Sequence, residues 1–305
     1  MFEYQGLFKT NGKGRHTKTF WFTVLIFIMI YAATIAFISL VALPIFMLEP
    51  AFAALSIFFI FLLLILIAIF IFYPLSVGVL RYFTATYKEQ DYQFKDAFAV
   101  FKKGNYSKVI KVGLLTFVAY LIFSFAVSML MQVLFMMVNA PVFAFFDTSN
   151  MEGAFSSGEI GTIATVLLLN LLLVLLSYIP YIFATIYIFL VYMAYIDEPL
   201  IPTTEKFQIA WDVMFRGGES ITKLIFSNLI LWIIPIIIYA LFIGGAALLG
   251  IYFEETAFVV MLVSGVIAMM IAYFIVMYFT VGSVAAYYFR GRHHLDEMHR
   301  NLQQV

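Results

Sequence analysis

Six stretches without Asp, Glu, Lys or Arg dominate the chain: 19–48, 50–80, 112–146, 160–196, 224–253 and 256–289. Each exceeds the roughly 20 residues with which a helix crosses a bilayer core of about 30 Å. The run Ile57–Phe72 is apolar on every face. That is the pattern of a lipid-embedded helix, whereas barrel strands would alternate in segments of about 10 residues. The pattern predicts an all-α membrane protein, a single domain over 1–305, with six transmembrane helices in three hairpins. The surplus length predicts tilt, with Trp21, Tyr82, Tyr195 and Tyr288 at the lipid–water boundaries.

Short amphipathic stretches separate some of these runs. In 91–103, Asp91 is placed to cap a helix carrying Phe94, Ala97, Phe98 and Phe101 on one face, opposite Lys95, Asp96 and Lys102. In 203–215, Thr203 and Glu205 supply a helix start, and Phe207, Trp211, Met214 and Phe215 an apolar face. Both read as cytoplasmic helices lying at the membrane interface or packed on the span ends, where Phe94, Phe98, Phe101, Phe207, Trp211 and Phe215 would meet lipid or a protein partner. A similar lead-in precedes each odd-numbered span: Phe8-Lys9 with Gly12, Phe101-Lys102-Lys103-Gly104, and Phe215-Arg216-Gly217-Gly218. This is the mark of a threefold internal repeat, or of what any positively flanked span requires.

Composition agrees with the pattern: 65% of residues are hydrophobic and 11% charged, against about 45–50% and about 25% in soluble domains. Such a chain cannot cover a water-facing surface with polar groups. Its formal charge is zero, from 17 basic and 17 acidic residues, but the two signs are segregated. Every Lys and Arg falls in the N-terminal segment, the loops after spans 2 and 4, or the tail. The opposite loops carry only acids: Glu49, then Asp147, Glu152 and Glu159, then Glu254 and Glu255. The positive-inside rule therefore predicts that both termini are cytoplasmic. Residues 1–18 are polar, and the apolar run that follows is too long for a signal core of roughly 7–15 residues, so the first span is expected to stay as an anchor.

The chemistry available is sparse. There is no cysteine, which excludes disulfides, thiolate metal sites and cysteine nucleophiles. The apolar runs hold no acid or base, the groups that proton-coupled transporters and intramembrane metalloproteases place there. No phosphate-binding loop, His-Glu-x-x-His pair or Gly-x-Ser-x-Gly elbow is present. We therefore expect no catalytic residue, no cofactor and no metal site. Among the mild polar groups, Gln132, Asn170 and Asn228 are expected to bond to neighbouring helices, and Pro44, Pro74, Pro180 and Pro235 to kink theirs. A hydroxyl-bearing face of span 4, Tyr178, Tyr181, Thr185 and Tyr192, with Tyr273 and Tyr278 of span 6, is a candidate amphiphile cleft; the competing reading makes these residues boundary anchors and helix contacts. Asp197-Glu198 reads as a solvated turn and His293, His294 and His299 as part of a solvated, lipid-facing tail. The basic face predicts anionic lipids as partners; its charges are too few and dispersed for nucleic acid.

Two blocks carry a family resemblance. Gly78-Val79-Leu80-Arg81-Tyr82-Phe83, Phe94-Lys95-Asp96-Ala97-Phe98 and Phe101-Lys102-Lys103-Gly104-Asn105-Tyr106 resemble the first cytoplasmic region of a bacterial integral-membrane family, a domain of unknown function of the nine-seventy-five type common in Gram-positive bacteria. Ile179-Pro180, Tyr192-Met193-Ala194-Tyr195, Asp197-Glu198-Pro199, Ala210, Met214 and Arg216-Gly217-Gly218 are similar as well. The resemblance spans roughly 74–289. It departs at Tyr181, where the family often has Gly, and in the run Ser227–Trp232. It implies a multi-span bacterial plasma-membrane protein and provides no catalytic residues. The expected role is non-enzymatic, in envelope or lipid homeostasis or amphiphile binding. The alternatives are a permease subunit that docks a cytoplasmic partner and a lipid-modifying enzyme.

Overall fold

A computed structural model of the chain describes residues 2–45, 50–148, 157–252 and 255–303. These form helices α1 (Glu3–Asn11), α2 (His16–Ile45), α3 (Pro50–Ile67), α4 (Tyr73–Tyr87), α5 (Asn105–Thr148), α6 (Ser157–Asp197), α7 (Thr203–Arg216), α8 (Ile221–Tyr252) and α9 (Glu255–Gln303). A π-helical turn at Ala68–Phe72 joins α3 to α4, and a 3-10 helix occupies Phe94–Phe101. No strand occurs among the described residues. Six segments are long and apolar enough to cross a membrane: His16–Val41, Leu55–Tyr87, Asn105–Ala140, Ala164–Asp197, Ile221–Ala247 and Phe258–Gln303. Of the acids predicted outside, Glu49, Glu152 and Glu254 lie outside the described residues, and the side chains of Asp147, Glu159 and Glu255 are not described either.

The spans expose what a soluble protein would bury. Phe58, Phe59 and Phe61 are each about three-fifths exposed, as are Leu167, Leu168 and Phe125. Contiguous apolar surface on this scale is stable against lipid and not against water. The six helices are therefore those of a multi-pass membrane protein.

The chain divides into two compact units, 113–188 and the remainder. In the first, the membrane parts of α5 and α6 are tied by a reciprocal amide pair, Asn139 and Asn170, at 2.9 Å in each direction. This is the bond expected of Asn170, with Asn139 as its partner. Gln132 is exposed.

The second unit, residues 1–112 and 189–305, has its core at one polar end. The basic segments meet there: the N-terminal segment reaches residues 219–228 and 278–290, the end of α4 reaches Asp197 and Phe289, and Lys108 reaches Pro199. Tyr82, Tyr195 and Tyr288 are fully buried there and do not stand at a lipid boundary; Trp21 is exposed. Their hydroxyls find acceptors within the protein, Tyr82 on the Phe94 carbonyl, Tyr195 on Asn105 at 3.2 Å and Tyr288 on Asp197 at 3.3 Å. Pro74 cannot donate to the carbonyl four residues earlier, and the ladder widens into the π turn just before it. The Tyr106 hydroxyl donates to that carbonyl, Phe70 O, at 3.0 Å.

The expected α-helix at 91–103 is instead a 3-10 helix over 94–101. Its cap is Gln93, paired reciprocally with Asp96, while Asp91 stands exposed. With three residues per turn, Ala97 and Val100 align and are fully buried. Gly78 of α4 makes this possible, since a Cβ there would stand 2.1 Å from the Ala97 carbonyl oxygen. Helix α7 is present where expected but turned: Lys206, Ala210, Val213 and Met214 face inward, and Trp211 and Phe215 face outward. The three lead-ins share a backbone form, a short helix and then a glycine with positive φ (Gly14 at 85°, Gly104 at 91°, Gly218 at 71°) before the next span. Such φ values favour glycine at each of the three turns.

Candidate functional site

Helix α1 organises the polar end. Tyr4, Gln5 and Phe8 share its inward face, and all three are buried. Phe8 lies in a notch left by Gly282, where a Cβ would meet its ring at 2.2 Å, and contacts Phe83, Tyr278 and His16 at 5.2–5.9 Å between ring centroids. His16 donates from Nε2 to the Lys9 carbonyl at 2.9 Å, which leaves Nδ1 to accept from the Tyr278 hydroxyl at 2.7 Å. Gln5 donates to Ser227 at 3.0 Å and to Asn228 at 2.8 Å, and Ser283 donates to the same Asn228 oxygen at 3.0 Å.

Around this plug the charges interlock. Arg290 binds Glu3, and it binds Glu219 at 2.6 Å. Tyr4 donates to Glu219 at 3.0 Å, and Lys223 lies 3.6 Å from Glu3. The hydrogen bond from Arg290 holds the Glu3 carboxyl below its ordinary value, with partial opposition from burial. Burial, and then Glu219, pushes the Tyr4 phenol up.

Beside this network opens a cavity of about 520 Å³. One wall is aromatic: Tyr87 and Phe289 stack at 5.3 Å and 16°, with the Lys88 ammonium 4.7 Å from the Phe289 centroid. Arg290, His293, His294 and Glu297 of α9 and Glu219 complete the lining. Most of these charges have partners. Lys88 is 2.5 Å from Asp197, and His293 is 3.4 Å from Glu297. Arg292, just outside the lining, holds Glu198 at 2.7 Å. His294 makes no hydrogen bond among the described residues and lies against Gly218, where a Cβ would meet its ring at 2.7 Å. The lining combines fixed charges of both signs with an aromatic face and one uncommitted imidazole. No three His, Asp or Glu side chains are grouped to hold a metal among the described residues.

Asp197-Glu198, read as a solvated turn, is thus ion-paired on both carboxylates. The tail continues α9 to Gln303, and its three histidines are exposed, as expected of a solvated segment, with His293 and His294 on the cavity lining. Helix α1 was not expected at all. Its signal was the pair Tyr4 and Phe8 at i and i+4, with Glu3 in the first turn and Lys9 in the last.

The residues of the predicted cleft have separate surroundings. Within 113–188, Tyr178 is exposed, Thr185 donates to its own helix at Tyr181 O (2.8 Å), and Tyr181 contacts Tyr120, Phe123 and Ser124. In the other unit, Tyr192 lies 5.7 Å from Tyr73 and Tyr273 lies 5.2 Å from Trp232, while Tyr278 is buried on Phe8 and Phe83. Of the predicted interfacial residues, Phe94 touches Phe22 and Phe98, and Phe101 stacks on Tyr106. Phe207 is half-buried. Trp211 and Phe215 meet at 4.4 Å and are each more than half exposed.

Fold and site together define a helical multi-pass membrane protein with a charge-lined cavity at one polar end. No protein-family model matches the chain, and no curated protein or solved structure is found similar to it.

Proposed function

We propose that this protein binds an amphiphile, taking its polar headgroup into the α9 cavity, and acts without catalysis in envelope or lipid homeostasis. The observation that carries the reading is the cavity itself. Its volume is that of a small-ligand site, and it opens where the apolar run of α9 gives way to Arg290. Charges of both signs and a stacked aromatic wall suit a headgroup that is itself zwitterionic. Segregation of the basic residues and the family resemblance support a bacterial plasma membrane with both termini in the cytoplasm.

The test is retention of lipid by the protein purified in mild detergent and exchanged into a second one, read by native mass spectrometry. The proposal expects a retained amphiphile that is lost in His294→Leu and Phe289→Ala and kept in Tyr181→Phe. Loss in Tyr181→Phe or Tyr192→Phe, with the cavity variants unaffected, would move the site to the span-4 face. A second reading, a permease subunit docking a partner, is favoured by the outward Trp211–Phe215 pair. It requires a copurifying soluble protein that Trp211→Ala releases.

A further inference from the structure

On the other flank of the polar end the charges have no counter-ions. Lys102, Lys103, Lys108 and Lys111 surround the first turns of α5, and none of them makes an ion pair among the described residues. This is the positive end of a 44-residue helix, where cations are disfavoured and anions favoured. Of the nearby acids, Asp197 is engaged by Lys88 and Glu198 by Arg292, and Glu205, which is exposed, lends Lys206 only weak electrostatic support.

Two cations meet at Tyr195, whose hydroxyl donates to Asn105 O, the first residue of α5, and a third, Lys108, acts electrostatically on one of them, Lys206. The Lys206 ammonium is 5.8 Å from the Tyr195 ring centroid, and its side chain is fully buried with the Ile201 carbonyl as acceptor. Lys108 donates to the Pro199 carbonyl at 3.1 Å. The Arg81 guanidinium also hydrogen-bonds the Tyr195 hydroxyl, while its Nε is buried with no hydrogen-bond partner. Burial, and then the charge of Lys108, depresses the Lys206 pKa, against weaker support from Glu198 and Glu205. A lysine can answer such a site by losing its proton; a guanidinium cannot, and its Nε–H demands an acceptor.

We propose that Arg81, Lys108 and Lys206, with the first turn of α5, form a site for a phosphate group. Arg81 and Lys108, both half-buried, make the contacts, and Lys206 behind them supplies field. A tetrahedral anion offers several acceptors at once, which matches a guanidinium, an ammonium and helix N-terminal amides better than a lone carboxylate would. Arg81 and Lys108 stand near the ends of membrane segments, so the phosphate is either that of a lipid headgroup or free in solution. The inference is independent of the α9 cavity.

The experiment follows thermal unfolding of the full-length protein in detergent in two comparisons. These are sodium phosphate against sodium chloride at matched ionic strength, and added phosphatidylglycerol against diacylglycerol. The site predicts a rise in unfolding temperature with one or both phosphate sources. A rise with inorganic phosphate identifies the free anion, and a rise with phosphatidylglycerol alone identifies the lipid. Phosphate also stabilises proteins generally, so the diagnostic quantity is the part of the rise that Arg81→Gln and Lys206→Met lose. Lys206→Met should unfold in chloride no lower than wild type, because it removes a buried charge, yet fail to respond to phosphate. His294→Leu, in the cavity, should keep the full response. Should the first two variants not fold, Lys108→Gln is the alternative, with an expected loss of about tenfold in affinity. Absence of any rise in wild type, or an undiminished rise in the variants that fold, would overturn the site.

Discussion

Two flanks of one polar end handle positive charge in opposite ways. On the α9 flank, Lys88, Arg290, Arg292 and His293 each meet a carboxylate within 3.4 Å or less, and α1 is fastened into the same network. On the α5 flank, Arg81, Lys108 and Lys206 make no ion pair among the described residues: Arg81 meets the Tyr195 hydroxyl and the two lysines meet backbone carbonyls, although Lys206 is the more deeply buried. Paired charges hold a surface in shape and leave room beside it for a ligand of mixed charge. Unpaired, partly buried cations lower stability unless something outside the chain neutralises them, and so point to an anion.

The comparison can be broken at its foundations first. Gly78→Val should have the largest effect, because its side chain would drive into the backbone of Ala97 and lift the 3-10 helix, and with it the lead-in to α5. We expect a loss of about 3 kcal/mol or more, measured by denaturant unfolding in detergent. Glu219→Ala on the α9 flank comes next. It removes one acceptor each from Tyr4, which keeps the Ser220 carbonyl, and from Arg290, which keeps Glu3, with an expected cost of about 1–3 kcal/mol and earlier proteolysis of the N-terminal helix. Lys206→Met on the α5 flank has the opposite sign, neutral to about 1 kcal/mol stabilising in the absence of phosphate.

Acid sharpens the contrast further. The Glu3 carboxyl sits below its ordinary pKa of 4.5 in the folded protein. Its stabilising contribution is therefore present above pH 4.5 and is lost as the pH falls through the lower, folded value. Hydrogen exchange in α1 should accelerate over that acid range and stay constant above it, while exchange at the start of α5 should not follow the same titration. The smallest effect belongs to Arg15→Ala. Its partner Asp91 is fully exposed at 3.8 Å, and the change should stay within about 0.5 kcal/mol.

Much of the fold was legible because lipid imposes a simple rule on sequence: charge-free runs longer than a bilayer is thick become helices. All six spans followed from it, and so did the gathering of basic segments at one end. The polar end was less legible, for three physical reasons. The 3-10 helix depends on a contact between Gly78 and Ala97 that no periodicity encodes. Tyrosines at span ends look alike whether they face lipid or a neighbouring carbonyl, and only tertiary contacts buried Tyr82, Tyr195 and Tyr288. Helix α1 is short and mostly polar, with its apolar signal confined to Tyr4 and Phe8. The cavity draws on residues as far apart as Tyr87 and Glu297, which only the folded chain brings together.

The most direct test of the account is native mass spectrometry of three proteins taken from one membrane preparation: wild type, His294→Leu and Arg81→Gln. The account predicts that wild type retains a headgroup-bearing amphiphile and a phosphate-bearing species, that His294→Leu loses only the first, and that Arg81→Gln loses only the second. Loss of both by either variant, or of neither by both, would contradict the division of the polar end into two separate sites.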